Sequence, residues 1–393
     1  MGCQENEIIE EKDSAKIWTL PPQNIDSLGA LFKGEIVDLT DSPVTSYGFV
    51  CSVCEPRSGS IQRIIAGEDT SINDLAFQVY IDDFLIRGLE YEIRAFVTTS
   101  FDTVYGNNVK LFSKGSAKTA WSFKPDLVPM IGWMQGYGFS NSVNGYLLYD
   151  CQFLYQFDPE NQSFLKMNDF PVGGNSGTYY TFASLDDVSY LFSNSSKNLY
   201  KFENGNWSVQ APLPFKYNEF AGFHCGFGFK NQVYILNSYD SYSYSPTANE
   251  WKSIANIPLS YGNAIGGTQL NDKAYIITAD KTILEYDISL NVWKKKTKYP
   301  GKSHSSIISF SYNNNIYFGL SICDNCGEKN SFDRSLWKYN TVTDEWNQTE
   351  PFPIDLSPFG MFWILTNGSL NLGFEVYTGS LHYSMWKLDL TKI

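Results

Sequence analysis

The sequence has few histidines and no long apolar run, and both absences limit its chemistry. Its three histidines, His224, His304 and His382, are far apart, and none has a second metal ligand at the usual spacing. No run of eighteen apolar residues occurs, which excludes a transmembrane helix. The chain also lacks a G-x-S-x-G motif, a P-loop and a Rossmann glycine run, so the common hydrolase and nucleotide motifs are absent. We therefore expect no cofactor and assign no catalytic residue.

Positive charge is scarce as well. The chain has 29 Lys and Arg against 42 Asp and Glu, which gives a net charge of -13. Because an acidic surface repels phosphate backbones and anionic lipids, we expect no nucleic-acid partner and no direct binding of the protein surface to a membrane.

Helical periodicity is nearly missing from the pattern of apolar residues. Aromatic residues make up 16% of the chain, with 26 Tyr and 28 Phe, and the apolar runs are short and alternating. Such runs favour half-buried strands, so the sequence predicts an all-β protein.

A repeat runs through the last two thirds of the chain, in which an aromatic residue is followed seven residues later by proline. The pairs are Phe164/Pro171, Trp207/Pro214, Trp251/Pro258, Trp293/Pro300 and Trp346/Pro353, and Trp121 starts a sixth copy whose proline, Pro129, comes one residue later. Successive aromatics are 43, 43, 44, 42 and 53 residues apart. A period of this size is typical of one four-stranded blade of a β-propeller.

Two further features of each repeat resemble the kelch family. A tyrosine opens the second strand, at Tyr146, Tyr190, Tyr234, Tyr275 and Tyr317, and a polar turn precedes the leading aromatic. The Gly-Gly pair that kelch units usually carry is absent; Tyr149-Asp150 stands in its place in the first repeat. The resemblance implies a six-bladed kelch-like propeller over residues 116–393. The last repeat ends at Ile393 without a fourth-strand aromatic, and Trp121 would supply it, so we predict that strands from both ends of this region close the ring.

Residues 16–115 are predicted to form a β-sandwich, with strands at 28–37, 44–53, 76–81, 91–98 and 108–112. The segment from Leu85 through Gly88 and Tyr91 to Ala95 resembles fibronectin type III and related immunoglobulin-like domains. In that family the tyrosine hydroxyl binds upstream backbone, so the resemblance implies a structural role for Tyr91. It also implies that this domain is a spacer or docking module.

Residues 1–15 have no apolar signal core but place Cys3 ahead of an acidic segment. This resembles the start of a mature bacterial lipoprotein, which implies a flexible leader acylated at Cys3 and an outer-membrane lipoprotein of a Gram-negative bacterium. The membrane would then be contacted only through the lipid. The alternative is an incidental cysteine in a disordered tail.

Two cysteine pairs have C-x-x-C spacing. Cys323 and Cys326 lie in the insertion that lengthens one repeat, and we expect a small disulfide there. Cys51 and Cys54 lie on one predicted strand and point to opposite faces, so they would bridge poorly.

A binding face is predicted where two kinds of propeller loop meet: those that follow the prolines and those that join second and third strands. Its candidate residues are Trp133, Tyr217, Glu219, Tyr239, Asp240, Tyr261, Asn263 and His304. Aromatic rings mixed with amides and carboxylates suit a glycan or a protein ligand. The alternative is that these side chains only solvate loops.

Three functions are compatible with these features. The first is a surface lipoprotein that binds a glycan or a protein. The second is a sugar epimerase or mutarotase, because a bacterial sialic acid mutarotase is also a six-bladed kelch propeller; Glu219 with His304 or Arg334 would then be the acid/base pair. The third is a structural subunit of an outer-membrane uptake complex.

Overall fold

The computed structural model describes residues 16–38, 43–54, 61–68, 75–125, 136–173, 180–193, 196–214, 225–261, 263–302, 306–323, 331–356, 358–377 and 381–393. Over these residues the protein is nearly all β, with two short 3-10 turns. None of the helical segments described is long and apolar enough to cross a membrane. The chain divides into two compact units, one ending at Ser122 and the other beginning at Phe123.

The first unit contains two packed β-sheets. Its strands are β1 (Lys16–Gln23), β2 (Ala30–Asp38), β3 (Val44–Val53), β4 (Ile61–Gly67), β5 (Ala76–Ile81), β6 (Glu90–Thr99), β7 (Thr103–Tyr105) and β8 (Val109–Phe112). One sheet has the order β1-β2-β5; the other has the order β4-β3-β6-β7, with β8 also paired to β6. Phe49 of β3 lies 5.6 Å from Phe32 and 5.2 Å from Phe77, measured between ring centroids, and these rings join the two sheets.

The strand pattern in the sequence predicted five of these strands and missed β1, β4 and β7. β1 contains Pro21 and Pro22, which weaken a strand signal because proline cannot donate to a ladder. The prolines are tolerated because β1 is an edge strand that pairs only with β2.

Tyr91 makes the contact that its motif predicts. Its hydroxyl accepts a hydrogen bond from the amide of Ile86 (2.9 Å) and donates one to the carbonyl of Phe84 (3.2 Å). Cys51 and Cys54 are free thiols, and burial raises the pKa of Cys54 to about 11, so this pair is neither a disulfide nor a reactive thiolate.

Six four-stranded antiparallel sheets follow among the described residues, and they belong to the second unit except for Trp121 and Ser122, which precede the boundary. Their strands are β9 (Trp121–Pro125), β10 (Gly136–Ser140), β11 (Gly145–Tyr149), β12 (Phe153–Asp158), β13 (Ser163–Lys166), β14 (Tyr180–Leu185), β15 (Val188–Ser193), β16 (Leu199–Glu203), β17 (Asn206–Val209), β18 (Cys225–Phe229), β19 (Gln232–Leu236), β20 (Ser241–Ser245), β21 (Glu250–Ile254), β22 (Ala264–Leu270), β23 (Lys273–Thr278), β24 (Thr282–Asp287), β25 (Val292–Lys298), β26 (Ser306–Tyr312), β27 (Asn315–Cys323), β28 (Ser331–Asn340), β29 (Glu345–Gln348), β30 (Pro358–Thr366), β31 (Ser369–Tyr377) and β32 (Leu381–Asp389). Five sheets use four consecutive strands; the sixth has the order β30-β31-β32-β9. This all-β arrangement is consistent with a β-propeller.

The sixth sheet combines the two ends of the repeat region, as the position of Trp121 predicts. β9 lies beside β32 as the fourth strand, although more than two hundred residues separate them. Phe123 of β9 packs on Trp386 of β32 with a ring-centroid distance of 4.8 Å. Without β9, the edge of β32 would be unpaired.

The tryptophans of the repeat join neighbouring sheets. The indole N–H of Trp207 donates to the carbonyl of Asn168 (3.2 Å), and that of Trp251 donates to the carbonyl of Ala211 (3.0 Å). Trp293 donates in the same way to Ala255 (3.1 Å). Each acceptor lies in the segment that follows the last strand of the preceding sheet. Tryptophan therefore recurs in these three sheets because it makes the same contact in each.

The polar turn between third and fourth strands has a similar role. Asn291 adopts a positive φ of 57°, which Asn tolerates better than most residues. Its side-chain oxygen accepts from the Tyr286 hydroxyl (2.7 Å) and from the Ala255 amide (2.7 Å) of the preceding segment. The turn therefore ties its own sheet to the previous one.

Candidate functional site

The six first strands β10, β14, β18, β22, β26 and β30, here called the inner strands, line one cavity of about 690 Å³. We call it the central cavity. Every sheet contributes residues to its wall, so it lies where the sheets converge. A cavity of this size is in the range used for small ligands.

Glycines let the inner strands approach each other closely. A Cβ built on Gly138 would lie 2.0 Å from the carbonyl oxygen of Trp363 on β30. One built on Gly226 would lie 2.2 Å from the carbonyl oxygen of Phe182 on β14. Because real Cβ atoms do not come so near, a side chain at either position would force these strands apart.

The hairpin register places equivalent residues of the inner strands side by side. Phe139, Phe227 and Phe310 lie opposite the second-strand tyrosines Tyr146, Tyr234 and Tyr317 and stack on them. The equivalent positions in the other three sheets are Ala183, Thr268 and Ile364. In all six inner strands the residue before this position lines the cavity; in sheet order these residues are Gly138, Phe182, Gly226, Gly267, Ser309 and Trp363. The cavity wall therefore has closely packed backbone at the glycines and large side chains at two aromatic positions.

In the first four sheets, the segment before the proline of the repeat is hydrogen-bonded to the connection between second and third strands. The amide of the residue before the proline donates to the connection between second and third strands in the same sheet: Ile257 to Asn237 (2.9 Å) and Tyr299 to Lys281 (2.8 Å). All five of these pre-proline residues, Phe170, Leu213, Ile257, Tyr299 and Phe352, are buried. The aromatic-to-proline signature therefore marks the place where the end of a sheet is joined to the connection between its second and third strands.

Tyr239 and Asp240 lie in such a connection, between β19 and β20. The Tyr239 ring is 47% exposed, while its amide is held by the side chain of Asn237 (2.8 Å). Asp240 is half-buried beside Tyr242, whose pKa is raised by burial and further by the Asp240 carboxylate. A fixed backbone thus presents an exposed ring beside a carboxylate.

Tyr261 and Asn263 lie in the segment that leads from the third sheet to the fourth. Tyr261 is half-buried against a hydrophobic cluster that includes Ile257 and Leu284, and its ring lies 5.7 Å from the ammonium group of Lys295. Asn263 is exposed, and its carbonyl accepts from the Ala279 amide (2.8 Å). Tyr261 therefore packs inward as well as facing the loops, which the sequence did not indicate.

Other predicted residues lie outside the described part of the chain: Cys3, Trp133, Tyr217, Glu219, His304 and Cys326. For Cys323 only the backbone is described, at the end of β27. Arg334, the remaining acid/base candidate, pairs with Asp355 (Nε to Oδ1, 3.2 Å). No group of three or more potential metal ligands occurs among the described residues.

A charged cluster between the fourth and fifth sheets was not predicted. Glu285, which is 6% exposed, binds Lys273 (2.7 Å) and lies 3.7 Å from Lys296, and Lys296 in turn binds Asp344 of the next sheet (2.9 Å). Burial raises the pKa of Asp344, but hydrogen bonds from Tyr339 and Lys296 outweigh it and leave that pKa below its ordinary value. The cluster joins two sheets and lies outside the cavity lining.

Glu375 is a second unpredicted carboxyl. It lies near the end of β31, its Oε1 is buried, and Oε1 has no hydrogen-bond partner among the described residues. Burial raises its pKa. The absence of a side chain at Gly360, its partner in the ladder, leaves space for this carboxyl; a Cβ there would lie 3.1 Å from Oε2.

Comparisons with known proteins support the fold but do not identify a family. No family model matches the sequence, and the search of curated proteins found no match. Among solved structures, YjhT is 14% identical, covers 66% of this chain and 95% of its own, and superposes with a TM-score of 0.52. A protein of unknown function from Bacteroides thetaiotaomicron is 10% identical, covers 95% of this chain and 98% of its own, and has a TM-score of 0.46. YCF48, solved bound to D1 peptide, is 8% identical, covers 68% of this chain and 94% of its own, and has a TM-score of 0.43. At these identities the likeness to YjhT shows a shared fold alone.

Proposed function

We propose that the protein is a surface binding module, in which a six-bladed kelch-like propeller recognises a glycan or a protein. In this proposal the first unit is a fibronectin type III-like spacer, and Cys3 carries the lipid that anchors the chain to a Gram-negative outer membrane. The observation that carries the proposal is the convergence of six sheets on one cavity, together with the hydrogen bonds that fix the connections between second and third strands.

The side chains at this face support recognition. Tyr239 offers an exposed ring on a backbone already held by Asn237, so little ordering is needed when a ligand arrives. Asp240 and Asn263 add a carboxylate and an amide, which hold hydroxyl or backbone groups of a ligand. Aromatic residues dominate binding energy at such surfaces.

A glycan array probed with the full chain tests the proposal, with an array of extracellular-protein peptides run in parallel. We expect saturable binding on one array, and at least tenfold weaker binding after Tyr239→Ala or Asp240→Asn, with an unchanged melting temperature. Val342→Ala is the matched control, because Val342 is 90% exposed in a turn between third and fourth strands, at the opposite end of the sheets. Unchanged binding by the Tyr239 and Asp240 variants would show that the site lies elsewhere.

The lipid anchor is tested separately. With a lipoprotein signal peptide placed ahead of Cys3, the protein should incorporate a labelled fatty acid and fractionate with membranes. Cys3→Ser should abolish both, because the thioether-linked lipid needs the thiol. Unchanged labelling of the Ser variant would disprove the anchor and leave the binding proposal intact.

A further inference from the structure

The wall of the central cavity is asymmetric. At the equivalent position of the six inner strands, three residues are glycines packed closely by their neighbours (Gly138, Gly226 and Gly267), one is Ser309, and two are the aromatic residues Phe182 and Trp363. Phe182 stacks on Phe139 with a centroid distance of 4.4 Å, so one face of its ring is already covered. If this position served only to pack one sheet on the next, we would expect the same residue type in every sheet. Phe182 and Trp363 depart from that expectation.

Trp363 differs from three of the tryptophans of the repeat. Trp207, Trp251 and Trp293 each donate their indole N–H to a backbone carbonyl. Trp363 is half-buried in the cavity wall, and within the described residues its indole N–H has no hydrogen-bond partner and its ring has no aromatic neighbour. This N–H is not among the fully buried indole N–H groups, so it can donate to a bound molecule.

Unpaired hydroxyls line the same cavity two residues further along the strands. Ser184 follows Phe182 by two positions, so it lies on the same side of β14, and Ser311 occupies the matching position of β26. Both are half-buried, and neither hydroxyl has a partner in the described part of the chain. Gln269 of β22 joins them; its amide NH₂ binds the Asn271 carbonyl, which leaves its side-chain oxygen able to accept.

We infer that the central cavity binds one uncharged sugar ring, which stacks on Trp363 and is held by Ser184, Gln269 and Ser311. The inference rests on the proposed binding function and names its ligand class. Stacking suits the apolar face of a pyranose, and hydroxyl and amide groups both donate to and accept from sugar hydroxyls. The lining side chains that the structure describes are neutral, so a carboxylate would enter without the counter-charge that its burial requires.

Isothermal titration of the full chain tests the inference. The probes are the methyl glycosides of glucose, galactose and mannose, the free sugars, and N-acetylneuraminic acid as the anionic comparison. We expect saturable binding of at least one neutral probe and a change in tryptophan fluorescence, with much weaker binding of the acid. Methyl glycosides that bind as well as free sugars indicate recognition of a terminal glycan residue; free sugars alone indicate a monosaccharide ligand.

Three variants separate the cavity from the rest of the chain. Trp363→Leu should weaken binding by about tenfold or more, since it removes the stacking face and the indole donor. Ser311→Leu should weaken binding to a similar extent, because the larger side chain fills the cavity while Trp363 is unchanged. This variant provides the test if Trp363→Leu fails to fold. Trp18→Leu makes the same change at a 54% exposed position of the first unit and should bind normally.

The outcome also distinguishes this inference from the proposed function. Array binding that is lost with Tyr239→Ala but retained in Trp363→Leu and Ser311→Leu would overturn the cavity site and leave the binding module standing. Titrations in which no neutral probe binds, or in which N-acetylneuraminic acid binds best, would also overturn it. Loss of neutral-sugar binding in both cavity variants, with the Trp18 control unchanged, would support it.

Discussion

At the scale of single residues, the carboxyls of Asp344 and Glu375 have pKa values shifted in opposite directions. Glu285 and Asp344 share Lys296 between two sheets, whereas the buried oxygen of Glu375 has no hydrogen-bond partner in the described part of the chain. Burial alone raises the pKa of Glu375, while hydrogen bonds hold the pKa of Asp344 low. The two groups therefore affect stability in opposite directions as pH changes.

Glu375→Gln should stabilise the protein at pH 8 and change little at pH 4. A raised folded-state pKa means that the carboxyl contributes stability below its unfolded pKa of about 4.3, and that this contribution is lost as pH rises through the folded pKa. Melting temperatures from pH 4 to 8 measure the difference. Glu345→Gln, at an exposed site, is the control; a gain that does not grow with pH would contradict the account.

Lys296→Met should destabilise the protein by about 3 kcal/mol at neutral pH, near the low end for breaking a buried pair, because Glu285 keeps Lys273. The lowered pKa of Asp344 stabilises the fold above its unfolded pKa, and that stability is lost as pH falls. Denaturation at pH 7 and pH 3 should show the larger penalty at pH 7. Lys252→Met, exposed on β21, should change stability little; an equal loss in both variants would be evidence against the cluster.

At the scale of elements, the second, third and fourth sheets are each fastened to the sheet before by their fourth strand. The tryptophan of that strand donates to the preceding segment, and in the third and fourth sheets an asparagine of the adjacent turn accepts from it. The same strand is therefore both the outer edge of one sheet and the link to another. This double role explains why tryptophan recurs at the same place in these three sheets.

Trp251→Ala should cost about 3–5 kcal/mol of stability, because it removes a ring that packs on Tyr244 at 4.9 Å together with its hydrogen bond. Trp251→Phe keeps a ring but loses the bond to Ala211, and should cost about 1 kcal/mol for that bond. Urea denaturation of both variants separates the two contributions. Equal losses would mean that the indole N–H, and not the ring, holds the sheets together.

At the scale of the whole molecule, β9 completes a sheet whose other strands lie at the end of the chain. That arrangement closes the set of sheets and leaves the edge of β32 paired. It also makes the fold depend on a five-residue strand that precedes the repeats in sequence.

A chain that starts at residue 116 should fold, whereas one that starts at residue 125 should aggregate. The shorter chain lacks Trp121 and Phe123 and exposes the backbone of β32, which can then pair with another molecule. Size-exclusion chromatography and thermal melting of the two truncations compare them directly. Equal solubility and equal melting temperatures would show that β9 is dispensable.

The sequence by itself determined the all-β class, the repeat and the shared sheet, because a packing contact made in every repeat leaves its residues at a fixed spacing. Trp207, Trp251 and Trp293 recur for this reason, and Trp121 could be matched to a sheet that lacks its fourth strand. The motif around Tyr91 predicted a local hydrogen bond correctly for the same reason: it depends on residues only five to seven positions away.

Only the tertiary structure decided which residues share a cavity or a charge cluster. Ser184, Ser311 and Trp363 come from three different sheets, and no spacing in the sequence relates them. Lys296 and Asp344 likewise meet across two sheets. The sequence contains one related signal: a glycine recurs at one position of the inner strands, and Phe182 and Trp363 take its place in two of them. What this glycine means depends on how closely neighbouring backbones approach. That distance is a property of the packed sheets, and the order of residues along the chain does not contain it.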